Sequence, residues 1–215
     1  MKENLYVDFD STLFDSDKYL HELYNICEKY NIKNVELDHI MKKLFENTPF
    51  FIDDLLDYLI KEKRVNKNIK NDFNILKNKS FLYNETVCFL KSIQDKYNPI
   101  LLTCGHIAHQ QKKIKTSNIE KYFSNIIITP GNKSQVKEVD YKNSIFIDNN
   151  PKEIERFISV GAKRVIRIKR DSDKYSKIDL QTDGIEEYSS LYEVLESLGI
   201  KQDEYLLLKT ECKEN

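Results

Sequence analysis

Residues 4–14 have the sequence NLYVDFDSTLF, and they give the first indication of the architecture of the chain. A short apolar run favours a β-strand and is followed by two aspartates, Asp8 and Asp10. Alternate residues of a strand point to the same face, so both carboxylates can converge at its carboxyl end. In open parallel α/β sheets this end is where ligands bind. Two carboxylates this close repel each other unless one is protonated or a cation lies between them, and Mg2+ prefers such oxygen ligands.

The same residues also have a purely structural interpretation. The strand can simply end in a polar turn, with Asp10 or Thr12 capping the next helix. For an isolated Asp-x-Asp pair this is the better interpretation. A functional site is therefore inferred only if other segments bring reactive groups to the same edge of the sheet.

Length and composition indicate a globular protein. The 215 residues, 40% hydrophobic and 32% charged, suit one domain, or one domain with a sizeable insertion. A net charge of -1 gives no sign of a nucleic-acid or acidic-membrane partner, and no apolar run is long enough to span a membrane. The four scattered cysteines match neither a zinc site nor a disulfide framework, and we expect no signal peptide, since the first strand begins directly. We therefore expect a reducing, cytoplasmic location.

Residues 16–80 are expected to be entirely helical. Apolar residues recur there at intervals of three and four, which predicts helices at about 17–31, 36–46 and 66–78. A further helix is predicted from Pro49, a favoured first-turn residue, to about Arg64. No strand is expected in this segment, so it forms a long helical insertion after the first strand.

Beyond residue 80, helices alternate with short apolar strands. Strands are predicted at 100–104, 125–129, 144–148 and 164–168, with helices between them, including one from about Ser134. This alternation predicts an α/β fold with a Rossmann-like parallel sheet, and the nearly continuous apolar strands fit burial on both faces. We assign residues 1–15 and 81–200 to this core, 16–80 to the helical insertion and 201–215 to a charged C-terminal tail.

Three polar residues end strands of the predicted sheet: Asp8, Thr103 and Asp148. Asp8 can attack a phosphorus atom, and Asp10 can transfer protons as general acid and base. Asp148 can complete a divalent-metal site with these two carboxylates. The Thr103 hydroxyl can bind a phosphoryl oxygen, helped by backbone N–H groups of the next helix. Each also has a structural alternative, because aspartate is common in turns and threonine in strands.

Two further residues are candidates for binding phosphate. Lys133 precedes the predicted helix at Ser134 and can neutralise a phosphoryl group, with Lys137, one turn further on, as the alternative. Cys104 follows Thr103 at the same strand end, and we expect it to be a small buried hydrophobe rather than a nucleophile. His106 and His109 either line the pocket or lie on a helix surface.

Taken in order, these segments resemble the four motifs of the haloacid dehalogenase-like hydrolase superfamily. Residues 8–13 resemble the first motif, 101–103 the second, Lys133 the third and 147–151 the fourth. The resemblance implies that Asp8 is the nucleophile, that Asp10 is the acid and base, and that Asp8, Asp10 and Asp148 hold Mg2+. It also implies that residues 16–80 form a mobile helical cap.

The chain departs from the motifs of this superfamily at two positions. Ser11 stands where glycine is common, and Asn149 stands where a second aspartate is frequent. The second change keeps an oxygen donor but removes a charge, so we expect a lower metal affinity, and the sequence does not decide whether Asn149 or Asn150 supports the metal.

The resulting hypothesis is a Mg2+-dependent phosphatase that hydrolyses a small phosphorylated metabolite, a nucleotide or sugar phosphate, through an aspartyl-phosphate intermediate. A dehalogenase or a phosphomutase of the same superfamily is an alternative, and Asp10 argues against the dehalogenase. A non-catalytic phosphate-binding or regulatory protein is another. The sequence selects neither the substrate nor the oligomeric state.

Overall fold

The structure, a computed structural model, describes residues 2–202 and residue 205. In chain order its helices and strands are β1 (Glu3–Val7), α1 (Ser16–Lys29), α2 (Asn34–Phe45), α3 (Ile52–Lys61), α4 (Ile69–Lys77), α5 (Thr86–Ile93), β2 (Tyr97–Cys104), α6 (Ile107–Thr116), β3 (Asn125–Thr129), β4 (Ile145–Asp148), α7 (Pro151–Ser159), β5 (Arg164–Ile168), β6 (Glu186–Tyr188) and α8 (Leu191–Ser197). The chain divides into two compact units. An α/β unit contains Met1–Asp15, Leu82–Cys104 and Ile119–Asn215, and a helical unit contains Ser16–Phe81 and Gly105–Asn118.

The α/β unit is built on one parallel sheet of six strands in the order β3-β2-β1-β4-β5-β6. β1 lies inside the sheet between β2 and β4, and Val7 pairs with Leu101 on one side and Ile147 on the other. The carboxyl ends of these three strands are therefore neighbours. The predicted α/β fold with a Rossmann-like parallel sheet is confirmed.

The central strands are buried on both faces. Leu5 and Val7, on one face of β1, have no exposed surface, and Tyr6 on the other face is 3% exposed. The Tyr6 ring stacks on that of Phe146 in β4, with ring centroids 4.9 Å apart. Burial on both faces explains why these strands are apolar along almost their whole length.

Local sequence sets the starts of two helices that cover the sheet. At α7, the Asn150 side chain accepts a hydrogen bond from the Lys152 N–H (3.0 Å), and Pro151 occupies the first turn. At α8, Ser190 and Glu193 form a capping box. Both arrangements satisfy backbone N–H groups that a helix leaves unpaired at its start.

Several predicted boundaries differ from the structure. β1 ends at Val7, so Asp8 lies just beyond the strand, and α3 begins at Ile52 rather than at Pro49. The short strand β6 was not predicted, because its three residues include two glutamates and lack an apolar run.

The helix predicted from Ser134 is wrong, since only 3-10 helices form there, at Lys133–Gln135 and Tyr141–Asn143. The Tyr141 hydroxyl accepts from the Val136 N–H (3.1 Å) and contacts the carbonyl oxygens of Lys133 (2.6 Å) and Val136 (3.0 Å). These side-chain hydrogen bonds take the place of a helical ladder.

The helical unit contains α1, α2, α3, α4 and α6. Its helices bury apolar faces through fully buried residues such as Leu23, Leu55, Leu59 and Phe73. The unit includes residues 105–118 in addition to the predicted insertion, and the domain boundaries and the role of a cap stay predictions. Apart from residues 201, 202 and 205, the predicted tail lies outside the described residues. Within the described chain, no helix is long and apolar enough to cross a membrane.

Candidate active site

One lysine joins two carboxylates at the carboxyl edge of the sheet. The Lys133 ammonium donates to Asp8 Oδ1 and to Asp148 Oδ2, the latter at 2.7 Å. All three residues are at most 5% exposed. Lys137, the alternative lysine, is exposed. The structure therefore brings together three of the predicted site residues, from three separate parts of the chain.

Backbone hydrogen bonds hold both aspartates in place. The Asp8 N–H donates to the carbonyl of Ile147 (2.9 Å), so pairing with β4 continues one residue beyond the end of β1. Asp148 is the last residue of β4, and its Oδ1 accepts the N–H of Asn150 (2.8 Å). Each aspartate is thus held at a strand end by a hydrogen bond that does not depend on the lysine, through its backbone N–H in Asp8 and through its carboxylate in Asp148.

Two residues that the sequence pattern does not predict hold the backbone of Lys133. Glu153 Oε2 accepts the Lys133 N–H (3.2 Å), and the Tyr141 hydroxyl donates to the Lys133 carbonyl (2.6 Å). Glu153 is buried in the first turn of α7. An acidic residue in a first turn is usual on electrostatic grounds alone, so its position gave no signal of this contact.

Burial and charge shift the pKa values of this group. Burial raises the pKa of Asp8, Lys133 opposes the rise, and the charges of Asp148 and Asp10 add to it, so that the resulting pKa is about 7. Burial by itself would lower the pKa of Lys133, but the carboxylates of Asp148 and Asp8 raise it overall. The lysine therefore stays protonated, and Asp8 titrates near neutral pH.

Asp10 lies beyond the end of β1, and Thr103 is the last residue but one of β2. Asp10 is partly buried, and its charge contributes to the raised pKa of Asp8. Thr103 is fully buried near the end of β2, the strand beside β1. A contact that was not predicted comes from Thr12, whose hydroxyl donates to Asp8 Oδ2 at 3.3 Å.

The prediction that Cys104 is buried is wrong, because its side chain is exposed at the end of β2. A strand-end position leaves the residue beyond the packed part of the sheet. Desolvation raises the pKa of its thiol, and the nearby charge of Lys133 lowers it. A thiol with a raised pKa is protonated at neutral pH, which argues against a nucleophilic role.

The two histidines belong to the helical unit. His106 stacks on the ring of Phe51, with centroids 4.0 Å apart, and the buried His109 contacts Phe50 edge to face. These ring contacts show that both residues contribute to packing within that unit.

The two asparagines after Asp148 have different roles. The Asn150 side chain caps α7. Asn149 is buried and donates from Nδ2 to Asp173 Oδ2 at 2.6 Å. Asp173 lies after β5, and no spacing in the sequence predicted this contact.

The loop that carries Asp10 has a constrained backbone. Ser11 has a φ of 58°, in the left-handed region that favours glycine. Its N–H donates to the carbonyl of Phe14 (2.8 Å), and Arg170 donates to the carbonyl of Thr12 (3.1 Å). The left-handed backbone explains in physical terms why glycine would suit this position.

The residues at this edge suit a magnesium ion in donor type and in charge. Asp8 and Asp148 offer hard oxygen donors, and the negative charges of the two ionised carboxylates exceed the single positive charge of Lys133. Among the described residues, however, no three His, Cys, Asp or Glu side chains are grouped so as to hold a metal ion. The ligand set of Asp8, Asp10 and Asp148 therefore stays a prediction.

Solved structures with a similar fold are haloacid dehalogenase-like proteins. A putative hydrolase of this kind from Burkholderia xenovorans has a TM-score of 0.74 and 16% identity, covering 96% of this chain and 99% of that one. A HAD phosphatase from Thermococcus onnurineus has a TM-score of 0.63 and 17% identity, covering 94% and 100%. The putative HAD-hydrolase YfnB from Bacillus subtilis, bound to magnesium, has a TM-score of 0.62 and 16% identity, covering 93% and 99%.

Dehalogenases are also among the similar structures. No protein-family model matches the sequence, and no curated protein matches it.

Proposed function

Because the chain has the fold of the haloacid dehalogenase-like hydrolases, we propose that it is a Mg2+-dependent phosphatase. Its substrate would be a small phosphomonoester, of the nucleotide or sugar phosphate class, and its intermediate a phosphorylated Asp8. We expect it to act in the cytoplasm.

The observation that carries this proposal is the placement of Lys133 between Asp8 and Asp148. A carboxylate can attack a phosphate ester only if the repulsion between the two anions is offset. A buried ammonium in contact with the attacking carboxylate supplies part of that compensation, because charges interact more strongly where water is excluded. The same ammonium would also attract the transferred phosphoryl group.

In the first step, a carboxylate oxygen of Asp8 forms a bond to phosphorus as the bond from phosphorus to the ester oxygen breaks. Asp10, protonated at this stage, gives its proton to the leaving alcohol. Lys133 holds Asp8 in place, and Thr103 would bind a phosphoryl oxygen at the end of the neighbouring strand.

In the second step, water attacks the phosphorus of the aspartyl-phosphate. Asp10 takes the proton of that water, which restores its protonated form, and the bond between phosphorus and Asp8 breaks to release inorganic phosphate. Asp8 and Asp148 would hold Mg2+, which supplies further neutralisation of the phosphoryl charge when bound. The remaining catalysis comes from positioning the reacting groups.

The test is a turnover assay of the full chain on p-nitrophenyl phosphate and a panel of phosphate esters, with Mg2+ and with a chelator. We expect phosphate release that requires Mg2+. A parallel assay with 2-haloacids tests the dehalogenase alternative, which needs no metal. Halide release without phosphatase activity would favour that alternative, and no turnover of either class would favour a non-catalytic phosphate-binding protein.

A further inference from the structure

A buried contact joins the loop after β4 to the loop after β5. Asn149, which directly follows Asp148, donates from Nδ2 to Asp173 Oδ2 at 2.6 Å. The two residues are 4% and 3% exposed. Asp148 pairs with Arg167 at the ends of β4 and β5, so the two loops leave the sheet side by side.

The chemistry of this contact fixes the orientation of the Asn149 amide. An ionised carboxylate can only accept hydrogen bonds, so the NH2 group of Asn149 must face Asp173. Its carbonyl oxygen, Oδ1, then points away from Asp173. Within the described part of the chain, Oδ1 accepts no hydrogen bond from the protein, so it remains available to a ligand.

Asp173 is itself held in one position by its loop. Its Oδ1 accepts the N–H of Tyr175 (3.1 Å), its own N–H donates to Arg170 (3.0 Å), and its carbonyl accepts from Ser176 (2.8 Å). Among the described residues it forms no ion pair. Burying a carboxylate without a cationic partner is unfavourable for folding. The burial of Asp173 therefore points to a role other than stabilising the fold.

We propose that Asp173 is a positioning residue for the cation held by Asp8 and Asp148. It orients Asn149 so that Oδ1 is available to the ion or to a water molecule bound to the ion. It also supplies, next to Asn149, the negative charge that an asparagine side chain lacks. This inference rests on the proposed function, since the cation is the Mg2+ of that site. Removing a residue that hydrogen-bonds to a metal ligand without touching the metal typically weakens metal binding 10- to 100-fold.

The experiment measures Mg2+ affinity by calorimetry, and melting temperature with and without Mg2+, in the full chain and four variants. Asp173→Asn should weaken Mg2+ binding by about 10- to 100-fold. Asn149→Asp should lower the melting temperature without metal, because two buried carboxylates would then face each other. The double variant Asn149→Asp/Asp173→Asn restores an amide facing a carboxylate, and its affinity should return to within about threefold of the wild type.

The matched control is Asp171→Asn, which removes the same charge from an exposed position in the same loop. Its affinity should stay within about twofold of the wild type, since an exposed charge is screened by solvent. If Asp173→Asn does not fold, recovery of both folding and affinity in the double variant still supports the inference.

Wild-type affinity in Asp173→Asn, or a double variant that binds Mg2+ no better than Asp173→Asn, would overturn the role of Asp173 alone. A wild-type chain that binds no Mg2+ would overturn the metal dependence of the proposed function as well.

Discussion

The α/β unit buries several of its charged side chains, whereas the helical unit keeps its charged side chains at the surface. The α/β unit buries six of them among its described residues: Asp8, Lys133, Asp148, Glu153, Arg167 and Asp173. The helical unit, which the structure describes completely, buries no Asp, Glu, Lys or Arg, and its ion pairs, such as Lys61–Asp57, include solvent-exposed groups. Exposed pairs add little to stability, and buried charges are costly unless well paired.

This difference separates two uses of charge. In the helical unit, charged residues form the solvated faces of helices whose buried faces are apolar. In the α/β unit, buried charges concentrate where the central strands end and bring a desolvation penalty. A protein keeps such an arrangement where chemistry needs it, so the contrast between the two units can be tested by matched substitutions.

The largest expected effect is that of Asp8→Asn on catalysis. Turnover of p-nitrophenyl phosphate should fall by about 10^4-fold or more, because an amide cannot form the covalent intermediate. The measurement is kcat/KM with Mg2+. The control is Asp57→Asn in the helical unit, which changes an exposed carboxylate in the same way and should leave kcat/KM unchanged. Retained turnover in folded Asp8→Asn would refute its role as nucleophile.

The next largest effect is on the free energy of unfolding, when one lysine in each unit, Lys133 or Lys61, is replaced by methionine. Lys133→Met should lower the free energy of unfolding by about 3–5 kcal/mol at pH 8, because Asp8 and Asp148 lose their buried cation. Lys61→Met, at an exposed ion pair, should change it by no more than about 0.5 kcal/mol. Urea denaturation measures both. Similar losses for the two variants would remove the contrast between the units.

A third prediction concerns the pKa of about 7 for Asp8. A cation favours the ionised carboxylate and so lowers its pKa, which means that Mg2+ binding should release protons at pH 7. The release should approach about 0.5 proton per site at pH 7 and vanish near pH 9, where Asp8 is already ionised. Calorimetry in two buffers with different ionisation enthalpies measures this quantity. Equal release in Asp8→Asn would assign the proton to another group.

The smallest effect compares two residues with positive φ, one in each unit. Ser11→Gly should stabilise the protein by about 0.5 kcal/mol, because glycine adopts a φ of 58° without steric cost. Asn31→Gly, where φ is 62°, should give a smaller gain, since asparagine tolerates this region. Thermal unfolding measures both. A larger gain in stability from Asn31→Gly would show that the hydrogen bonds of Ser11 already offset the steric cost of its positive φ.

Much of the fold follows from local patterns. Apolar runs of strand length that alternate with helical periodicity predicted β2, β3, β4 and β5 within a few residues, because side-chain period and burial are properties of short segments. The helix predicted from Ser134 does not form, because the Tyr141 hydroxyl bonds to the Lys133 carbonyl and to the Val136 N–H. Tyr141 lies several residues beyond the predicted helix start, so the local pattern does not reveal these contacts. The prediction that Cys104 is buried was wrong, because the burial of a residue at a strand end depends on the neighbouring loops.

The sequence by itself determined that Asp8, Thr103 and Asp148 stand at or beside the ends of parallel strands, since each directly follows an apolar run. Only the tertiary structure selected Lys133 over Lys137 as the partner of the two carboxylates, and only it brought Asp173 to Asn149. The physical reason is that strand ends are fixed by hydrogen bonds and burial within a few residues. Contacts between loops depend instead on the order of strands in the sheet, which no short segment contains.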